Sequence, residues 1–121
     1  MSEEEVIGFI RTYVGSVYTL ELLLLMKRGR HKSWNAAGLV RELRSSGTAV
    51  AEALSRMMQA GLVSEDTVGR YSFAPASAKH EQLATEIEKA YTNTPISVVK
   101  AITVAPDEKL RSFSDAFRLE E

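Results

Sequence analysis

The sequence predicts a mostly α-helical chain with one small β-hairpin. Three observations predict it. Apolar residues recur at helical spacing along nearly the whole chain. Strict alternation appears only around Tyr71 and Phe73. The three prolines and the glycines at 15, 29, 47, 61 and 69 fall at the ends of the periodic segments, where breaks are expected. With 45% hydrophobic and 26% charged residues in 121, the composition is that of an ordinary soluble domain able to bury a core. There is no cysteine, which excludes disulfides and thiolate chemistry and is compatible with a reducing compartment.

Each element follows from local signals. Ser2 and Glu5 form a capping-box pattern ahead of Val6, Ile7, Ile10 and Val14, so a first helix spans about 3–14 and stops at Gly15. Ser16 caps a second helix, 17–28, which is apolar nearly all round and belongs at the centre of the core. Gly29 ends it, and a basic loop, GRHKS, leads to Trp34. Asn35 caps a helix carrying Leu39, Val40 and Leu43. Ser45, Ser46 and Gly47 make a turn into helix 48–60, whose Val50, Leu54 and Met57 point inward.

Gly61 stops that helix. Leu62 and Val63 begin a strand, 66–69 supplies the turn, and Tyr71 and Phe73 lie on the return strand, closed by Pro75. A helix over 77–92 follows, with Leu83, Ile87 and Ala90 on one face. Thr94 caps the next helix, with Pro95 at its first position. Pro106 starts a last amphipathic helix striped by Leu110, Phe113 and Phe117. No repeat, low-complexity tract or linker interrupts the chain, so a single domain over 1–121 is expected.

The order helix, turn, helix, hairpin over about 34–75 is that of a winged helix-turn-helix, with extra flanking helices over 2–28 and 77–119. The segment from Trp34 to Pro75 resembles the bacterial winged helix-turn-helix of MarR-like transcriptional regulators. The resemblance is carried by WNAAGLVREL, by Ser46 with Val50, by the AGLV of Ala60–Val63 and by the hairpin ending GRYSFAP. It covers about a third of the chain. It implies double-stranded DNA as a partner, helix 48–60 in the major groove, a wing at 64–70, and terminal helices that build a homodimer.

With the inward triad fixed, a turn of 100° per residue places Thr48, Glu52, Ser55, Arg56 and Gln59 outward. Thr48 and Ser55, with Ser46 at the start of the helix, suit bases or phosphates. Glu52 suits a cytosine amino group, and Arg56 guanine or phosphate. Arg70 sits at the wing, near a minor groove, and Lys32, Arg41 and Arg44 suit phosphate. Charge supports this placement. Residues 1–26 carry −3, residues 27–70 carry +4 and residues 71–121 carry −2.

A second reading stays open. Glu52 lies mid-helix, and the wing begins with Ser64, Glu65 and Asp66, acidic where a DNA-binding wing is often basic. The chain then is a protein-interaction module without DNA contacts, docking through its terminal amphipathic helices. Val6, Ile10, Leu110, Phe113 and Phe117 are the expected interface residues, for a homodimer or for another protein through the C-terminal helix.

Catalytic chemistry is not expected. His31 and His80 are far apart, and no HExxH, phosphate-binding glycine loop or GxSxG occurs. An enzyme, a metal site and a cofactor are therefore not expected. The longest apolar run, Leu20–Met26, is interrupted by Glu21 and too short to span a bilayer. The opening MSEEEV is acidic, unlike a signal peptide. No membrane partner is expected, and the cytoplasm is the expected location.

Overall fold

The computed structural model describes residues 2–103. Helix α1 (Glu3–Phe9) continues as a π-helical turn, Ile10–Val14. It is followed by α2 (Val17–Arg28), α3 (Ala36–Leu43), α4 (Gly47–Gln59), β1 (Val63–Glu65), β2 (Tyr71–Phe73), α5 (Ala78–Asn93) and α6 (Pro95–Thr103). No single helix among the described residues is long and apolar enough to cross a membrane. The stretch from Pro106, with Leu110, Phe113 and Phe117, lies outside the described residues.

Local chemistry sets the helix ends. The Ser2 hydroxyl accepts from the Glu5 amide, and the Glu5 carboxylate accepts from the Ser2 amide, both at 3.2 Å. The π turn closes when the Gly15 amide donates to the Ile10 carbonyl at 2.9 Å. Ser16 then caps α2, and the chain bends by 105° between the two helices. Leu20, Leu22, Leu23, Leu24 and Met26 of α2 are all buried. Its all-round apolarity does reflect a central helix, contacted by α3, α4 and β2.

The helix-turn-helix forms as its caps dictate. The Asn35 side chain accepts from the Gly38 amide at 2.7 Å, and Ser46 from the Ala49 amide at 3.1 Å. The turn differs from expectation. Its left-handed residue is Arg44, at φ 52°, while Gly47 is already the first residue of α4. Arg44 takes this conformation because its amide and that of Ser45 bond back to the Arg41 and Val40 carbonyls, closing α3.

In the hairpin Val63 pairs with Phe73, Ser64 with Ser72 and Glu65 with Tyr71. Trp34, which follows the basic loop, adds a one-residue third strand: it exchanges two backbone hydrogen bonds with Tyr71, each 2.7 Å. A bridge of one residue has no periodicity to reveal it. At the start of α6, the Thr94 hydroxyl donates back to the Ala90 carbonyl at 3.0 Å, so it closes α5 instead of capping α6.

One core cluster runs from Val6 in α1 to Val98 in α6. Val6 and Ile10, expected at an interface, are 4% and 0% exposed within this chain's own core. The reason is that α1 folds back against α5 and its π turn packs on α4 and α6. The side of the first helix left accessible is that of Tyr13, 43% exposed.

Candidate nucleic-acid interface

Helix α4 has the phase the inward triad implies. Val50, Ala53, Leu54 and Met57 are buried, while Thr48, Glu52, Ser55, Arg56 and Gln59 are exposed. Burying one stripe of an amphipathic helix against α2, α3 and the hairpin orients the opposite stripe to solvent. At its N-terminus the Ser46 oxygen is used by the Ala49 amide, which leaves the hydroxyl proton free to donate. Arg41 and Arg44 flank this end and are exposed. Lys32, also exposed, sits with its Nζ 5.1 Å from the Trp34 ring centroid.

Two of the expected DNA-contacting arginines are held by their own chain. Arg70 donates from Nε to the Ser33 hydroxyl at 2.8 Å and from a terminal nitrogen to the Ser33 carbonyl at 2.6 Å. Arg56 lies over Gly15 and donates to the Tyr13 carbonyl at 3.4 Å. At the wing tip, the Asp66 carboxylate accepts from the Val68 and Arg70 amides, both at 2.9 Å. These bonds, Arg70's foremost, hold its carboxyl below the usual aspartate range. The acidic wing is therefore partly a folding device, since Asp66 builds the turn.

The positive segment is also less available than its sum of charges suggests. Lys27 and Arg28 both reach Glu88, at 2.8 and 3.3 Å, and Arg30 grips Glu81 with two bonds of 2.6 and 3.0 Å. Arg30 also stacks over Phe73, 5.0 Å from its centroid. Three of the eight cations in 27–70 are thus paired with two carboxylates of α5. With Arg56 and Arg70 bonded to their own chain, the cations left without an ion pair or side-chain hydrogen bond among the described residues are Lys32, Arg41 and Arg44. A sum over a segment cannot see partners more than fifty residues away.

A groove of about 340 Å³ separates the first helix from α5. Phe9 and Tyr13, their ring centroids 4.8 Å apart and planes tilted by 34°, form one wall; Lys79, His80 and Leu83 form the other, with Gln59 and Ala60 at its floor. His80, far from His31 in the sequence, is half-buried, with Nδ1 2.7 Å from the Ser77 hydroxyl and its ring against Gly61. The i, i+4 spacing of Phe9 and Tyr13 is visible in sequence, but not which helix faces them. No group of three or more potential metal ligands occurs among the described residues.

Two capped helices joined by a tight turn, the second exposing a polar stripe, followed by an antiparallel hairpin, define a winged helix-turn-helix. By sequence the chain matches no protein-family model and no curated protein. By structure it is similar to a point mutant of S. aureus MepR, a MarR-family protein, with a TM-score of 0.55 at 10% identity. The match covers 90% of this chain and 82% of that one. The likeness shows a MarR-like winged-helix fold.

Proposed function

We propose that the protein is a DNA-binding transcriptional regulator acting as a homodimer. The observation that carries the reading is the exposed polar stripe of α4 together with its N-cap. There Ser46, Thr48, Glu52 and Ser55 are exposed on a helix whose opposite face is fully buried, with Arg41 and Arg44 beside it. Hydroxyls and a carboxylate on a protruding helix suit base edges, and the flanking cations suit phosphates. Lys32, over Trp34, and Arg70, bonded to Ser33, add cations at the base of the wing.

A homodimer would place two such helices about 34 Å apart, one turn of duplex. Support for it comes from the apolar patch of Tyr91, Pro95, Ile96 and Val99, in which Ile96 is 72% exposed. Three phosphate-facing cations per protomer, Lys32, Arg41 and Arg44, give six in a dimer. A plot of log affinity against log salt then has a slope of about −5. Duplex binding measured at low and moderate salt tests this, with an Arg41→Ala/Arg44→Ala variant beside the parent. Absence of binding even at low salt would sink the proposal.

The internal bonding of Arg56 and Arg70, with Glu52 and Glu65 exposed nearby, favours a second reading: a protein-interaction module that keeps the winged-helix scaffold. In that case the double variant loses nothing, while Ile96→Asp abolishes capture of the partner.

A further inference from the structure

Arg56 is the one cation of α4, and the geometry gives it an occupation other than DNA. Its guanidinium lies over Gly15. A Cβ at that position would come within 2.7 Å of Nη1 and 3.0 Å of Cζ. Gly15 is at φ 74°, so it both ends the first helix and leaves the space that the guanidinium fills. The acceptor, the Tyr13 carbonyl, belongs to the last turn of that helix, where carbonyls lack helical partners and carry the negative end of the dipole. A cation there satisfies a group that the helix cannot.

A second contact of the same kind lies one turn further along. Gly61, at φ 78°, ends α4, and its missing Cβ would meet His80 of α5 at 2.8 Å. The last turn of α4 is thus gripped from two sides through two glycines, by the first helix at Arg56 and by α5 at Gly61. Tyr13 connects the two grips, since its ring lines the groove that His80, Gln59 and Ala60 also line.

We infer that Arg56 is a positioning residue: it latches the recognition helix to the first helix through Gly15 and the Tyr13 carbonyl. The angle that α4 presents to DNA is then set by the flanking helices. The inference rests on the reading that α4 faces DNA, but the latch itself is measurable without DNA.

Two variants test it. Arg56→Gln removes the cation. Gly15→Asn keeps a residue that tolerates positive φ, yet fills the guanidinium's seat without changing charge. In the free protein, hydrogen exchange is followed in residues 10–16 and 56–62. Arg56→Gln accelerates exchange in both segments, and Gly15→Asn does the same. If Arg56→Gln leaves residues 10–16 unchanged, the latch is overturned, and this arm stands even if Gly15→Asn fails to fold.

On duplex DNA, Gly15→Asn weakens binding about 2- to 30-fold, by the same factor as Arg56→Gln, with the parent's salt slope retained. The opposite pattern overturns the inference. There Gly15→Asn binds like the parent, while Arg56→Gln flattens the slope by about one per arginine lost, the mark of a direct phosphate contact. If the parent binds no duplex at all, the DNA reading fails, and the exchange experiment still decides the latch.

Discussion

Arg70 and Ser33 are locked together across the base of the wing, with the guanidinium fork spanning both the hydroxyl and the carbonyl of the serine. Ser33 precedes Trp34, whose backbone exchanges two hydrogen bonds with Tyr71, the residue after Arg70. Side-chain clamp and backbone ladder therefore act on the same two neighbouring strands, and the wing's attachment to the body depends on both.

Replacing Arg70 by alanine should loosen the wing. Hydrogen bonds from a charged donor are worth about 1.5 kcal/mol or more when shielded, and this partly exposed pair should contribute about 1 kcal/mol. Trp34 is the only tryptophan in the chain, so its emission reports the site directly. Arg70→Ala should shift it to longer wavelength and lower the unfolding midpoint. Arg70→Lys should restore the charge but not the fork. Unchanged emission in both variants would show that the clamp does not hold the wing.

The α5 carboxylates give a pH dependence with a definite sign. The hydrogen bond from Lys27 holds the Glu88 carboxyl below its ordinary range, with Arg28 adding to it, and Arg30 does the same for Glu81. A folded-state pKa below the unfolded value means that stability is present above about pH 4.3. It is lost as pH falls through the lower folded value. Urea midpoints measured from pH 7 to pH 3 should fall in that window. Glu88→Gln should remove part of the fall and cost about 1 kcal/mol at pH 7, since the Lys27 side chain, only 14% exposed, loses its partner. A midpoint that stays level between pH 5 and 3 in the parent would refute the coupling.

Asp66 separates structure from recognition. Asparagine retains an oxygen that can accept from both the Val68 and Arg70 amides but lacks the charge that strengthens them, so Asp66→Asn should keep the turn and melt only slightly below the parent. It also removes a negative charge from the wing. Affinity for duplex DNA at low salt should then rise about two- to threefold, the size of one screened charge. Asp66→Ala loses the acceptors as well, and should speed amide exchange through 66–70. Equal affinity for Asp66→Asn and the parent would mean that the wing does not approach the duplex.

What was legible in the sequence was local. The caps at Ser2, Ser16, Asn35 and Ser46 act over three residues, and the Val50, Leu54, Met57 triad needs only the helical period. What stayed hidden depends on partners distant in the chain. Arg30 meets Glu81 across 51 residues, and Arg70 meets Ser33 across 37. Neither pairing leaves a pattern in the intervening chain. The amphipathic face of α1 was visible, but not that Val6 and Ile10 would cover this chain's own core. The expected stripe of Leu110, Phe113 and Phe117 lies outside the described residues. The Arg44 conformation was hidden for a different reason. Glycine is the residue expected at positive φ, and Gly47 stood close enough to be assigned the turn.

Arg44 therefore supports the sharpest test of the DNA reading. A non-glycine residue in the left-handed region costs about 1–2 kcal/mol, and glycine there gives back about 0.5–1 kcal/mol in unfolded-chain entropy. Arg44→Gly should accordingly stabilise the fold by about 0.5 kcal/mol, read as a higher urea midpoint. No hydrogen bond or ion pair ties the Arg44 side chain among the described residues, so nothing else in the fold is lost. If the guanidinium meets phosphate, the same variant should bind duplex DNA more weakly, with a salt slope shallower by about one per protomer. Stability and binding then move in opposite directions. Should Arg44→Gly gain stability and bind DNA unchanged, the turn residue has no part in the interface, and the phosphate-facing surface must be sought elsewhere than at the α3–α4 corner.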